Sequence, residues 1–406
     1  MSSIIAPDKP ALPETRLTRS LARELLEEYG SPLYVYDAQV LRATIEQISE
    51  AVNYPRTRFC FASVTNGNTS LLRIFREHNW GLHANTPGDV HLGLNAGFAP
   101  AEIVYSGSNL NRDEMRLMLE REIGILNLDS LAQLEMLREL QRHRTKSPRS
   151  RVGLRLNLPE ITGETRIGVG AHELADAVKI ANSAGLKLSG VHFYRGTATN
   201  STSAFADSIA TVCQAGALLP DWEYLDFGGG FGYPYNANRS AFDWSTFGAE
   251  LERRMRALSR PVELIIEPGR SAIAGCGTLL TRVVSVKRQG EKQIVGVDTS
   301  VVNIAVLSVH GGHRRIQSMT SDVGEDLITD VCGNTTFSRD YLGRNCRLPR
   351  LQIDDALAIL DVGAYGYAMS SHFLHRPRPA EVIIENGTHR LIRRREDYTV
   401  LTEHQV

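Results

Sequence analysis

Two short stretches carry residues able to hold an anion. Asp226-Phe227-Gly228-Gly229-Gly230-Phe231-Gly232 sets three glycines side by side, and Glu267-Pro268-Gly269-Arg270 follows further along. Adjacent glycines let backbone N–H groups approach an anion with no side chain in the way. Arg270 adds a charge-assisted fork. Alone, the glycine triplet reads first as a tight turn; the two loops together point to phosphate. Asp226-Phe227-Gly228 also spells a kinase tripeptide, but no Gly-rich loop and strand lysine precede it. A third stretch, Phe61 to Asn68 (FASVTNGN), leaves an apolar run for a polar turn. Such exits are where α/β enzymes keep chemistry, yet this one offers Val64 and no charged group. His310-Gly311-Gly312-His313 has a metal-like spacing, but its glycines denote a loop and no carboxylate adjoins it, so no metal is assigned. His372 and His375 flank a Phe-Leu pair and read as structural or interfacial.

These loops need elements to position them. Eight short apolar runs recur: FCFASV, WGLHA, IVYSG, ILNLD, VGLRLNL, LSGVHFY, EYLDFGG and VELIIEP. Segments of helical period separate most of them; Met115, Met118, Leu119 and Ile123 share one face. Strand–helix alternation of this length implies parallel strands and predicts a (β/α)8 TIM-type barrel. Its site then lies at the carboxyl ends of the strands, where the polar and glycine residues collect. After Arg270 the pattern becomes all-β, with a hairpin at Gln289-Gly290-Glu291. The expected organisation is an N-terminal segment over 1–35 joining the β domain, a barrel over 36–275, and a C-terminal all-β domain over 276–406. Leu17 to Tyr29 reads as a helix with Thr18 as N-cap and Gly30 past its end.

Composition excludes several classes. A net charge of -1 gives no positive excess for nucleic acid. The run Arg393-Arg394-Arg395 meets Glu396 and Asp397 at once and reads as a solvated face or strand end. Five dispersed cysteines disfavour a disulfide framework and suit a reducing compartment. The N-terminus lacks a signal-peptide pattern and no run reaches a membrane span, which predicts a cytoplasmic protein with no membrane partner.

Four pieces together carry a resemblance: Gly228-Gly229-Gly230, Glu267-Pro268-Gly269-Arg270, Asn127-Leu128-Asp129-Ser130 and Gly363-Ala364-Tyr365-Gly366. They resemble the fold type III pyridoxal 5'-phosphate (PLP) decarboxylases of diaminopimelate, ornithine and arginine, over nearly the whole chain. The resemblance implies a barrel plus β domain, and a homodimer whose subunits share active sites. It implies a phosphate cradle of Gly228, Gly229, Gly230, Gly269 and Arg270, with hydroxyls from Thr197 and Tyr365. Glu267 would face the pyridine nitrogen and keep it protonated, making the ring an electron sink.

The departures fall on the residues of chemistry. The family writes its first strand end Tyr-Ala-Val-Lys-Ala-Asn, and in register its Schiff-base lysine becomes Val64. The acidic residue ending the second strand appears as His83, and the histidine that stacks on the cofactor ring appears as Tyr194. The family's Cys-Glu-Ser motif reads Thr336-Phe337-Ser338, with Asp340 kept. Lys187 precedes the sixth strand at its far end and Lys287 and Lys292 flank the hairpin turn, so none is expected to substitute, and Cys332 reads as a buried structural cysteine. Three expectations follow. One is a lysine-less decarboxylase-like enzyme acting on an amino acid or its conjugate in a biosynthetic pathway, with PLP held non-covalently. The second is a pseudoenzyme with a binding or regulatory role, pairing with an active relative. The third is an enzyme using the cradle for another phosphorylated ligand.

Overall fold

All eight apolar runs become parallel strands in the computed structural model, which describes residues 17–142, 149–196, 200–236, 240–312, 314–320 and 325–406. A first strand, β1 (Leu33–Asp37), precedes them. The barrel comprises β2 (Thr57–Ala62), β3 (Gly81–Ala84), β4 (Ile103–Tyr105), β5 (Ile125–Leu128) and β6 (Arg151–Asn157). After the two-residue β7 (Val169–Gly170) it continues with β8 (Leu188–His192), β9 (Tyr224–Asp226) and β10 (Glu263–Ile266). Pairing of β10 with β2 and of β5 with β6 closes the circle.

Period-2 alternation decides which side chains meet inside. On one parity, Phe61, Leu82, Leu126, Leu154, Val191, Leu225 and Ile266 are buried in the main core with the helices. On the other, Cys60, Val104, Ile125, Tyr224 and Ile265 form a small separate core within the barrel. Two residues further along the inward parity come Ala62, Ser106, Asn127, Asp226 and Glu267. The same parity runs from Gly81 to His83, Gly153 to Arg155 and Gly190 to His192. The barrel therefore changes from apolar to polar in one step toward its carboxyl end. Gly190 is required by space, since a Cβ there would lie 2.4 Å from the Tyr224 ring. The Tyr224 hydroxyl donates to Asn127 Oδ1 at 2.7 Å, and Asn127 Nδ2 donates to Asp226 Oδ2 at 3.1 Å.

The second sheet is built on β1 and the long β11 (Gly277–Gln289), with β12 (Lys292–Val297) as its hairpin partner. Next come β13 (Ile316–Ser318), β14 (Leu327–Cys332), β15 (Tyr341–Leu348), β16 (Ala356–Ile359), β17 (Ala380–Glu385) and β18 (Thr388–Arg393). β1 lies between β11 and β17, so the N-terminal strand is part of this sheet. The first helix, Arg19–Tyr29, is capped by Thr18, whose hydroxyl accepts from Leu21 N, and Gly30 follows at φ 76°. The arginine run is not simply a solvated strand end. Arg393 pairs with the buried Glu381, and Arg395 donates to the carbonyls of Tyr29 and Pro32, tying β18 to the chain start. All five cysteines are free thiols; Cys332, expected to be buried, is partly exposed. Among the described residues no helix is long and apolar enough to cross a membrane.

Candidate functional site

The turn after β2 is fixed on all sides but one. Ser63 Oγ donates to His83 O, Thr65 Oγ1 to Ala62 O, and Asn66 Nδ2 to Gly363 O in the β domain. Asn68 caps the helix Thr69–Glu77 by accepting from Ser70 N, and its Nδ2 donates to the buried Glu381. Tyr365 N donates back to Thr65 O at 2.8 Å. In this locked turn Val64 alone is open, 41% exposed. Its side chain lines a cavity of about 250 Å³ at the carboxyl end of the barrel, just under the usual range for a small-molecule site.

The same cavity is lined by His83, Arg155, His192, Tyr194, Gly229, Gly230, Glu267, Gly269, Arg270 and Tyr365. The glycine loop is anchored by its flanking aromatics. Phe227 and Phe231 are buried, and Phe231 packs against Phe205 at 4.7 Å and Trp244 at 4.5 Å between ring centroids. Gly230 has φ 100°, and a Cβ there would lie 2.1 Å from Gly196 O. No side chain fits that position, so the backbone itself forms the wall. Arg270 Nη1 donates to Tyr235 Oη at 3.3 Å and its guanidinium lies 4.8 Å from the Tyr365 ring. This wall is cationic and rich in N–H and O–H groups.

The other wall is a cluster of buried titratable groups. His83 Nε2 lies 3.4 Å from Glu267 Oε1, and His192 Nε2 lies 3.4 Å from Glu267 Oε2. Burial pushes Glu267 up to about 8, against the pull of its hydrogen bond with Asp226 and of the Arg155 charge. Asp226 is raised as well, by burial and then by the Glu267 charge. Buried side by side, these carboxyls disfavour double ionisation. Burial holds His192 down at about 4 and His83 well below its ordinary value, so both imidazoles are neutral.

Among the described residues, Glu267 Oε1 and both His83 ring nitrogens have no hydrogen-bond partner. Such orphans at a cavity wall suit a heterocyclic ligand carrying a nitrogen. Together with the glycine wall and Arg270, they fit a phosphorylated pyridine. His83, His192 and Glu267 also bring one donor atom each within 4.8 Å of one another. Metal-bound imidazoles are ordinarily oriented through their second nitrogen, and among the described residues neither Nδ1 has a hydrogen-bond partner. The donor set fits a heterocycle better than a metal.

Comparison with known proteins agrees. Residues 39–274 match the family described as pyridoxal-dependent decarboxylase, pyridoxal binding domain. The chain is 30% identical to diaminopimelate decarboxylase of Methanothermobacter thermautotrophicus, over 95% of this chain and 94% of the relative. It is 30% identical to the Escherichia coli K12 enzyme of that name, over 94% and 96%. Among solved structures, AQ1208 from Aquifex aeolicus superposes with a TM-score of 0.86 at 28% identity, covering 95% of this chain and 94% of that one. Diaminopimelate decarboxylase from Helicobacter pylori, solved in complex with L-lysine, gives 0.85 at 27%, covering 94% and 98%. The chain belongs to the fold type III PLP-dependent decarboxylase family, whose cofactor is pyridoxal 5'-phosphate.

Of the residues singled out in the sequence, Val64, His83, Tyr194, Gly229, Gly230, Glu267, Gly269, Arg270 and Tyr365 meet at the cavity. Gly228 does not line it; its N–H donates to Asp226 Oδ1 beneath the loop. Thr197 lies outside the described residues, as does His313. Thr336 is exposed on a loop of the β domain and does not line its own chain's cavity. Asp340 is buried and its carboxylate accepts from Val301 N, Thr335 N and Thr335 Oγ1, so it orders that loop. Among the described residues no lysine lines the cavity. Lys179, Lys187 and Lys292 pair with Asp176, Asp221 and Asp330, and Lys287 lies on β11. Arg155 is not singled out as a site residue in the sequence, while Asn85 and His192 end their strands among the polar residues there but receive no role from the sequence. Strand parity was the available signal: Arg155 stands two residues from Gly153, and His192 two from Gly190.

Proposed function

We propose that this protein binds PLP non-covalently and acts as a decarboxylase-type enzyme on an amino acid or amino-acid conjugate, without a Schiff-base lysine. One observation carries the reading: Val64 opens into a cavity otherwise furnished for a phosphate and a pyridine ring. The cofactor, when bound, supplies an electron sink for a substrate carbon. The chain's own residues do the rest. Gly229, Gly230, Arg270 and Tyr365 would hold the phosphate. Glu267, held between two neutral imidazoles, would meet the ring nitrogen, and Tyr194 would cover one ring face. A lysine in the wall would have supplied a general acid/base worth about 10² to 10⁴ in rate. Its absence makes slow turnover the expectation.

The exposed Thr336 loop and the exposed Phe373 and Leu374 beside it support a homodimer in which one subunit's β domain completes the other's site. Phe337 and Phe373 pack edge to face at 5.9 Å between centroids, which gives this surface a rigid apolar patch. A second reading, a catalytically silent binding partner, is favoured by the coincidence of Val64 and Thr336 at the two family positions of chemistry. Titration with PLP, read spectrophotometrically before and after borohydride, separates them. Saturable uptake without a covalent adduct, followed by loss of CO2 from an added amino acid, is expected. Absence of uptake would sink both the enzyme and its cofactor. Uptake with no turnover for any amino acid would leave the silent partner.

A further inference from the structure

Arg155 sits on the inward parity of β6, lines the cavity and places its guanidinium 5.3 Å from the Tyr194 ring centroid. Among the described residues no hydrogen bond or ion pair reaches that guanidinium. Glu267, Asp129 and Asp226 act on it only through space. A guanidinium offers five N–H donors in a fixed fork and cannot shed its charge. It faces the cavity with no carboxylate in hydrogen-bond contact among the described residues, so its donors are available to an anion. Arg270 is the cavity's other arginine, and its surroundings are different: Tyr235 and Tyr365, beside the glycine loop. Two separate cations thus face one small cavity.

We propose that the cavity recognises a ligand with two anionic groups: a phosphate at the glycine loop and Arg270, and a carboxylate at Arg155. The ligand class is the phosphopyridoxyl conjugate of an amino acid, taken as a whole. This rests on the reading that the cavity takes PLP. The physical reason lies in Val64. A wall amine binds the bare aldehyde covalently and so retains it without an amino acid. With Val64 in the wall, retention depends on non-covalent contacts, and the carboxylate is the group that distinguishes the conjugate from the cofactor alone.

Calorimetric titration of the full chain tests this with three stable probes. These are PLP, reduced phosphopyridoxyl-alanine in each enantiomer, and reduced phosphopyridoxyl-ethylamine, which lacks the carboxylate. The better alanine conjugate is expected to bind at least about tenfold tighter than the ethylamine conjugate, the scale of one charge-assisted hydrogen-bond pair. Arg155→Met is expected to erase that difference, weakening the alanine conjugate by about tenfold more than the ethylamine conjugate, which makes no carboxylate contact. Equal affinities in the unmodified protein would overturn the proposal without recourse to any variant. So would a variant that weakens all three probes alike, because Arg155 would then serve the ring itself. Failure of every probe, PLP included, would instead remove the cofactor reading on which the proposal stands.

Discussion

Val64 makes the functional question a single-residue question. It projects from a turn whose other polar side chains are engaged, so a longer side chain there meets the cavity and not the core. Val64→Lys is expected to gain a covalent PLP adduct that borohydride fixes and mass spectrometry locates at position 64. If the variant binds PLP yet stays unmodified, Val64 does not occupy the lysine's place. Arg270 gives the complementary test. Removing its guanidinium from the phosphate wall in Arg270→Gln should weaken PLP by roughly 10- to 100-fold, as for a charge-assisted contact. Glu267 leaves a signature in stability. Its folded value is about 8 against an ordinary 4.5, so between these the folded chain holds a proton that the unfolded chain has released. Stability therefore falls as pH rises through that window and levels off above it. His83 and His192 act oppositely, adding stability as pH rises toward 6.5, because burial keeps them neutral when the unfolded chain's histidines are charged. Above 6.5 the carboxyl slope remains, at most about 1.4 kcal/mol per pH unit for one proton. Urea unfolding of the ligand-free protein should show a loss of about 1–2 kcal/mol between pH 6.5 and 8. Glu267→Gln should be shallower there, with Asp226 still contributing in the same direction.

At the scale of elements, the loop after β9 is the part on which binding depends. Phe227 and Phe231 clamp it from either side, and the glycines between them follow a path no Cβ can share. Gly230→Ala would place a methyl against Gly196 O at φ 100°. It is expected to lose PLP uptake while costing about 1–3 kcal/mol in unfolding free energy, the range for local backbone strain. Phe231→Ala acts through packing: about 3–5 kcal/mol lost from the aromatic cluster, with a looser loop and weaker phosphate binding. The two variants separate backbone shape from anchoring, since only the first should spare most of the stability.

For the whole molecule, barrel and sheet are joined at the site. Asn66 bonds to Gly363, Tyr365 to Thr65, and Asn68 to Glu381. The loop carrying Tyr365 therefore closes the cavity from the β domain within one chain. Thr336 and Phe373 are exposed, and neither lines this chain's cavity. Sedimentation of the full chain at micromolar concentration is expected to give a dimer, and Phe373→Glu a monomer with weakened PLP uptake. A monomer in both cases would end the shared-site reading.

The sequence by itself determined the eight-strand alternation, the switch to β structure after Arg270, the helix cap at Thr18, and the pairing of a glycine loop with Arg270. These are local: period, turn chemistry and capping are written in neighbouring residues. It also located Val64, because a strand end is a short-range pattern. Only the tertiary structure brought Arg155 and His192 to Glu267, since inward parity has meaning once the barrel closes and sets strands far apart in sequence around one axis. Only it showed Arg393 spent on Glu381 and Asp340 spent on its own loop, because a charge's role depends on which partner folding delivers. The long-range polar contacts around Val64 are likewise absent from any window of sequence, and they are what turn an apolar residue at a strand end into the open wall of a site.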